Sequence, residues 1–227
     1  METLLNRKVE IELNNTCPHN LDCTKCAEAC AALVEYNNIC EEIERRESYM
    51  RRWVIADLHF GHANVIRYAN RPYENIEQME KDLIKRWNNT VAKEDIVYVL
   101  GDFTLSRDKD YIARLCGALN GTKVLIMGNH DTRNPIDYLL CGFKAATRKP
   151  ILVDPRVVLS HEPLAADDIV NGMLYIHGHT HEKPCHTDDL LNCACVSVER
   201  IDYTPVDLDK LIKDLKKKVN EYEKRRF

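Results

Sequence analysis

The sequence lacks any long apolar run and any recognisable export signal. No stretch approaches the roughly eighteen uninterrupted apolar residues that a membrane-spanning helix requires. The first seven residues lead into a charged segment without an apolar core, so nothing there predicts secretion. We therefore expect a cytoplasmic protein that does not bind membranes.

An excess of basic residues is also missing. Lys and Arg number 32 against 36 Asp and Glu, which gives a formal net charge of -4 at pH 7. Binding of duplex nucleic acid depends on neutralising many phosphates, so this balance disfavours a broad nucleic-acid surface. It does not exclude a small phosphate-bearing substrate, and no pattern indicates the oligomeric state.

The length and the changing character of the sequence predict one compact domain with an appendage. The chain has 227 residues, modestly more than a usual single domain. Residues 1–50 are Cys-rich and have the apolar spacing of one or two helices, whereas residues 51–227 differ in character. We place a domain boundary near residue 50.

The ten cysteines predict reduced thiols, because no export signal directs the chain to an oxidising compartment. Four of them form a Cys-x5-Cys-x2-Cys-x3-Cys run: Cys17, Cys23, Cys26 and Cys30. These thiolates could hold a structural zinc ion or an iron-sulfur cluster, although the spacing matches neither standard pattern closely. Alternatively, Cys26 and Cys30 line a buried helix face as small apolar residues.

The remainder of the chain alternates short apolar runs with amphipathic segments. Five runs are typical of buried strands: 53–56, 96–100, 124–127, 157–159 and 174–176. Segments 76–87 and 111–119 have helical apolar spacing, which makes an α/β rhythm. A last stripe from Leu208 to Tyr222 predicts a helix packed on the domain with a solvated basic face, or alternatively a membrane or partner helix.

Polar residues with the chemistry of metal ligands follow each predicted strand. In an extended chain, residues two apart point the same way, so Asp57 with His59, and His179 with His181, should each present two ligands to one side. Open α/β sheets bind ligands beyond the carboxyl ends of their strands, so the clusters should share one site. His177 is expected to end its strand. The clusters also contain glycines that allow sharp turns: Gly101, Gly128 and Gly178.

The ligand set predicts two transition-metal ions. It combines oxygen and imidazole donors without thiolates, which suits Mn, Fe, Zn, Ni or Co better than Mg or Ca alone. Seven ligands are too many for one ion but fit two ions bridged by a carboxylate, an arrangement that clamps both oxygens in phosphoryl displacement. The seven are Asp57, His59, Asp102, Asn129, His161, His179 and His181.

Over residues 53–206 the pattern resembles the calcineurin-like metallophosphoesterases. The resemblance lies in five ordered blocks: Asp57-Leu58-His59, Gly101-Asp102, Gly128-Asn129-His130-Asp131, Ser160-His161 and Gly178-His179-Thr180-His181. Segments 57–73 and 192–205 further resemble a compact bacterial and phage branch of stand-alone phosphoesterases. The resemblance implies an α/β fold, a four-layer sandwich of two mixed β-sheets flanked by helices. The strand count alone would not distinguish this fold from a single doubly wound sheet.

The resemblance also implies roles for the residues. Asp57, His59 and His181 would hold the first metal, Asn129, His161 and His179 the second, and Asp102 would bridge them. A hydroxide shared by the metals would attack phosphorus in line, His130 would protonate the leaving oxygen, and Asp131 would orient His130 or brace the loop.

The chain departs from the protein Ser/Thr phosphatases of this superfamily. Those enzymes have an Arg soon after the bridging Asp and a Glu after the Asn-His pair, whereas Phe103-Thr104-Leu105 and Asp131 occupy these places here. Phosphoprotein substrates are therefore disfavoured. Short connections between the blocks predict an open cleft without a capping domain.

Three further residues could contact substrate. His62 could bind phosphate at a helix start, or serve as a capping or surface residue. Arg67 and Arg71 could grip phosphate, or lie exposed on a helix face.

The predicted function is that of a dinuclear metal phosphodiesterase or phosphatase acting on a small or nucleotide-like ester. One alternative is a nucleic-acid-processing nuclease or binding module that docks through the N-terminal Cys cluster. Another is a catalytically idle metal protein.

Overall fold

A computed structural model describes residues 50–170 and 172–226, together with Asn38. The helices predicted in segment 1–50 and the proposed metal site at Cys17, Cys23, Cys26 and Cys30 lie outside the described residues. The domain boundary near residue 50 therefore stays a prediction.

The described residues form nine strands and five α-helices. The strands are β1 (Arg52–Ile55), β2 (Ile96–Val99), β3 (Thr122–Ile126), β4 (Ala145–Thr147), β5 (Ile151–Asp154), β6 (Val157–Leu159), β7 (Leu174–His177), β8 (Cys193–Cys195) and β9 (Val206–Asp207). The helices are α1 (Asn64–Tyr68), α2 (Ile76–Thr90), α3 (Lys109–Ala118), α4 (Pro135–Leu140) and α5 (Leu208–Arg226). All five predicted strands and the three predicted helices of this region are present.

The strands form two mixed sheets. The first has the order β4-β3-β2-β1-β9, with β1 to β4 parallel and β9 antiparallel. The second has the order β5-β6-β7-β8, with only β5 antiparallel. The single doubly wound sheet is therefore wrong, and two mixed sheets flanked by helices are confirmed. The outer helical layer on the second sheet, which a four-layer sandwich needs, stays a prediction.

Strand β1 is buried on both faces because it lies between two cores. Trp53 and Ile55 belong to the core between the first sheet and helices α2 and α3. Val54 and Ala56 belong to a second core, which contains residues of both sheets. A strand covered on both faces reads as a continuous apolar run, which is the pattern seen in the sequence.

Helix α2 illustrates why these segments are helical. Asn75 precedes it, and its side chain accepts a hydrogen bond of 2.9 Å from the backbone N–H three residues later, which satisfies one free donor of the first turn. Met79, Leu83 and Trp87 recur every four residues and are all buried. They attach the helix to the first sheet.

The C-terminal helix α5 packs on the domain for about half its length. Leu208, Ile212 and Leu215 are buried in the second core, whereas Tyr222 is 53% exposed. The packed-helix interpretation is thus confirmed for the first turns only. Within residues 50–170 and 172–226, none of the helices combines the length and apolar composition needed to cross a membrane.

Candidate metal centre

The polar clusters after β1, β2, β3, β6 and β7 converge into one site. Asp57, His59 and His181 bring one ligand atom each to within 4.8 Å of one another. Asp102, His161 and His179 form a second triad, whose ligand atoms also lie within 4.8 Å of one another. Residues from both sheets therefore meet at the carboxyl ends of their strands, as predicted.

Asp102 lies between the two triads. Its Oδ2 is 3.5 Å from His59 Nε2, and its Oδ1 is 3.6 Å from His161 Nε2. Each carboxylate oxygen therefore faces a different group of imidazoles, which is the placement that a bridging ligand requires.

Asn129 joins the second triad. Its Oδ1 is 3.1 Å from His161 Nε2 and also 3.1 Å from His179 Nδ1. An amide oxygen and two imidazole nitrogens thus point at a common space. Asn129 and His179 are exposed, so this side of the site opens to solvent.

Two buried ligand atoms fit a cation. Among the described residues, Asp57 Oδ1 and His59 Nε2 have no hydrogen-bond partner. The other Asp57 oxygen accepts hydrogen bonds from His179 N (2.8 Å) and from Ser197 Oγ (2.7 Å). Leaving a buried polar atom unpaired costs several kcal/mol, on the order of 2–7, so the free oxygen and nitrogen suit a metal ion.

Burial shifts the protonation equilibria of the same two residues. It raises the pKa of the Asp57 carboxyl group, which His161 and His181 partly offset. Burial, with the nearby Arg71 guanidinium, lowers the pKa of the His59 imidazole. Burial therefore favours the neutral form of His59, which is the form that ligates, and a cation would supply the positive charge that an ionised Asp57 needs.

The ligands are held by left-handed backbone rather than by extended strand. The expectation that Asp57 and His59 are paired by strand geometry is wrong, because β1 ends at Ile55. Asp57 N donates to Gly101 O (3.0 Å) and His59 N donates to Asp102 O (2.8 Å), which ties the loops after β1 and β2 together. Such backbone costs about 1–2 kcal/mol per residue, a cost typical of functional sites. Five ligands have positive φ: Asp57 (60°), His59 (55°), Asp102 (52°), His179 (71°) and His181 (50°).

Glycine is required at position 128 by the ligands themselves. A Cβ there would lie 2.2 Å from Asp102 Oδ1 and 2.8 Å from His161 Cε1. Gly101 adds a positive φ of 80°, which L side chains rarely adopt. The motif glycines thus make room for the carboxylate between the triads.

His130 lies beside this carboxylate. Its Nε2 is 4.0 Å from Asp102 Oδ2, and its ring centroid is 5.1 Å from that of His59. Its backbone N–H donates to Asp102 Oδ1 at 2.9 Å. The imidazole is 36% exposed, so it can reach both the site and a bound molecule.

Asp131 braces the loop that carries Asn129 and His130. It is fully buried, and its Oδ2 accepts a hydrogen bond from Gly128 N (2.9 Å). Its Oδ1 accepts one from Phe103 N (3.1 Å). Of the two predicted roles, these contacts favour bracing over orientation of His130.

The three predicted substrate contacts differ in placement. The His62 ring centroid lies 5.9 Å from that of His130 and 5.4 Å from that of His59, at the rim of the site. Arg67 is exposed on α1, as in the alternative interpretation. His62 and Arg67 remain proposals as substrate contacts.

Arg71 corresponds to neither prediction, because its side chain is buried behind the site. Nη2 donates to Asp57 O (2.6 Å) and pairs with Glu199 (2.8 Å), and Nε donates to Glu199 Oε1 (2.9 Å). Nη1 donates to Leu58 O (2.9 Å) and contacts Met79 Sδ (3.4 Å). All three guanidinium nitrogens therefore donate to protein acceptors, and the side chain is turned away from a substrate.

The side chains and carbonyls that orient the histidines were not predicted from the sequence. His181 Nδ1 contacts Glu199 Oε1 at 2.9 Å, and His161 Nδ1 contacts Leu100 O at 2.8 Å. Each contact occupies Nδ1 and leaves Nε2 free, and Nε2 of His161 faces Asp102 and Asn129, as is usual for metal-ligating histidines. No motif spacing signals Glu199, which follows the last block in sequence.

His177 is a structural residue, as expected. It ends β7, and its ring nitrogens contact Gly178 O (2.8 Å) and Thr187 Oγ1 (2.8 Å). Burial lowers the pKa of its imidazole.

Two mixed sheets and a paired set of Asp, Asn and His ligands at their strand ends define a metal-dependent phosphoesterase architecture. The model of the calcineurin-like phosphoesterase family matches residues 50–223, and the chain belongs to that family. An uncharacterised protein of Methanocaldococcus jannaschii is 40% identical over 179 residues, which cover 75% of this chain and 94% of that protein. The gene 66 protein of Mycobacterium phage L5 is 31% identical over 159 residues, 57% of this chain and 76% of that protein.

One solved structure supports the same fold. A protein of unknown function from Aquifex aeolicus matches with a TM-score of 0.55 and 29% sequence identity. The match covers 72% of this chain and 98% of that one.

Proposed function

We propose that this protein hydrolyses phosphate mono- or diesters, with two divalent metal ions as cofactors and a small or nucleotide-like ester as substrate. One observation carries the proposal: the two oxygens of Asp102 face two separate ligand groups, at 3.5 Å from His59 Nε2 and 3.6 Å from His161 Nε2. Manganese is the first choice among the ions that oxygen and imidazole donors suit.

The metals and the protein contribute different chemistry. Paired divalent ions, when bound, activate water at neutral pH and neutralise charge on the phosphoryl oxygens. Asp57, His59 and His181 would hold one ion, and Asn129, His161 and His179 the other, with Asp102 shared. Left-handed backbone at five of these seven residues would hold their side chains in place before substrate binds, which would limit reorganisation during the reaction.

His130 is the proposed general acid. It is partly exposed, its backbone N–H donates to Asp102 Oδ1, and its Nε2 lies 4.0 Å from Asp102 Oδ2. An imidazole is suited to protonate a leaving oxygen because its ordinary pKa lies near neutral pH. Asp131 supports the step indirectly by bracing the loop that carries His130.

The exposed rim suggests where the ester group binds. His62 lies between His130 and Tyr68, with ring centroids 5.9 Å and 6.2 Å away respectively. Tyr68 is 69% exposed, so its ring is free to stack on an aromatic part of a substrate such as a nucleobase. Arg67, its neighbour on α1, could add a phosphate contact.

The test uses purified protein, Mn²⁺ and bis-p-nitrophenyl phosphate. We expect hydrolysis by the unmodified chain, and loss of hydrolysis by His130→Gln with both ions retained. Asp102→Asn should lose hydrolysis together with tight binding of the ion pair. Turnover that survives both substitutions would rule out this function.

A further inference from the structure

A buried pair of opposite charges lies directly behind the ligands of the first metal position. Arg71 Nη2 and Glu199 Oε1 are 2.8 Å apart, and their side chains are 0% and 5% exposed. Desolvation offsets much of the attraction in a buried ion pair, so such a pair is weak evidence for stability. The contacts of the two residues indicate a different role.

Arg71 holds the backbone that carries the first two ligands. Its guanidinium donates to Asp57 O (2.6 Å) and to Leu58 O (2.9 Å), the two carbonyls between the ligand side chains of Asp57 and His59. Both ligands have left-handed φ, at 60° and 55°. Donors fixed on these carbonyls therefore stabilise a conformation that the segment would not favour alone.

Glu199 holds the third ligand. Its Oε1 is 2.9 Å from His181 Nδ1, and His181 also brings a ring nitrogen within 4.8 Å of ligand atoms of Asp57 and His59. A carboxylate in this position fixes the tautomer of a metal-binding histidine and increases its basicity.

We propose that Arg71 and Glu199 form one positioning unit that sets Asp57, His59 and His181 together for a divalent cation. The inference rests on the proposed function, since that cation is the one its chemistry needs. The ion pair connects two segments 128 residues apart, so the loop after β1 and the His181 imidazole are fixed by a shared contact.

Glu199 could instead be a ligand for a further ion. Its Oε2 has no hydrogen-bond partner among the described residues, and Glu182 and His181 bring ligand atoms within 4.8 Å. We favour positioning, because Oε1 is already shared by Arg71 and His181 and Glu182 is exposed. The number of bound ions distinguishes the two roles.

The experiment measures metal binding without substrate. Metal-free full-length protein is titrated with Mn²⁺ by calorimetry, and its Co²⁺ form is followed by visible absorption. The variants are Glu199→Gln, which keeps the shape but removes the charge, and Arg71→Met with Glu199→Gln, which leaves no buried charge unpaired. Arg52→Gln is the control, because Arg52 is also ion-paired but lies at the opposite end of β1.

We expect Glu199→Gln to bind one of two ions about 10- to 100-fold more weakly, with an altered Co²⁺ spectrum. The double variant should show at least as large a loss of ion affinity, and it should melt lower because the carbonyls of Asp57 and Leu58 lose their donors. Arg52→Gln should bind both ions normally.

Unchanged ion affinity in Glu199→Gln and the double variant would overturn the inference. It would also be overturned if the unmodified protein bound a third Mn²⁺ ion that Glu199→Gln no longer binds. An unmodified protein that takes up no ions would overturn both proposals. One that binds two ions but hydrolyses no ester would contradict only the proposed function.

Discussion

Replacing Gly128 with alanine tests whether the motif glycine is set by the site. The added Cβ would lie 2.2 Å from Asp102 Oδ1 and 2.6 Å from Asp102 N, whereas ordinary contact begins at 3.4 Å. The carboxylate or its loop must therefore move by about 1 Å. Overpacking of this kind costs about 1–3 kcal/mol, and a 1 Å misplacement in a catalytic site costs about 100-fold in rate.

These magnitudes set the expected results for Gly128→Ala. In a domain of this size, about 1 kcal/mol corresponds to about 2–4 °C, so the melting temperature should fall by about 2–12 °C. Hydrolysis of bis-p-nitrophenyl phosphate with Mn²⁺ should fall by about two orders of magnitude. Thermal melting and steady-state kinetics measure the two effects.

Gly117→Ala is the matched control. Gly117 is an exposed residue of α3, and among the described residues no atom outside the local helix backbone lies within 4 Å of the position that an added Cβ would take. Alanine is favoured over glycine by about 0.5–1 kcal/mol in a helix interior and by less near a helix end, so this variant should melt at or slightly above the unmodified protein and keep its activity. If both variants behaved alike, the steric reasoning about Gly128 would be refuted.

Three further predictions concern metal, substrate and core. Adding Mn²⁺ to the metal-free protein at about 100 times its dissociation constant should raise the free energy of unfolding by about 2.7 kcal/mol, measured as a higher melting temperature. An unchanged melting temperature would contradict the proposed metal site. Tyr68→Ala should raise KM for a nucleotide diester but not for a dialkyl phosphate, which has no ring to stack, whereas Tyr68→Phe should retain native KM; equal KM values for all would exclude stacking. Replacing Trp87, which is fully buried in α2, with alanine should lower the free energy of unfolding by about 3–5 kcal/mol, measured by urea unfolding. A decrease below about 1 kcal/mol would be inconsistent with the packing of this side chain.

Five of the nine strands were predicted from the sequence because burial of a strand between two layers leaves a continuous apolar run. Strands β4, β8 and β9, which have only two or three residues each and lack a readable period, were not predicted. Helix α1 is also short, with five residues, and strand β5 differs from the predicted strands because none of its four residues is buried. Such elements form because neighbours supply their hydrogen bonds, which is tertiary information.

The convergence of the polar clusters could be predicted, but the backbone that holds them could not. Residue type and position after apolar runs were enough to predict that Asp57, His59 and their partners lie together. The left-handed segment that carries these residues is held by contacts with Gly101 O and Asp102 O, which belong to the loop after β2. Arg71 was misjudged for the same reason, since its acceptors include a carboxylate 128 residues away.

The central claim is that two ions occupy this site, bridged by Asp102. Anomalous scattering at the manganese edge, from crystals soaked in Mn²⁺, measures it directly. We predict two peaks roughly 3.5–4 Å apart, one beside Asp57, His59 and His181 and the other beside Asn129, His161 and His179. A single peak, or peaks away from Asp102, would contradict the account.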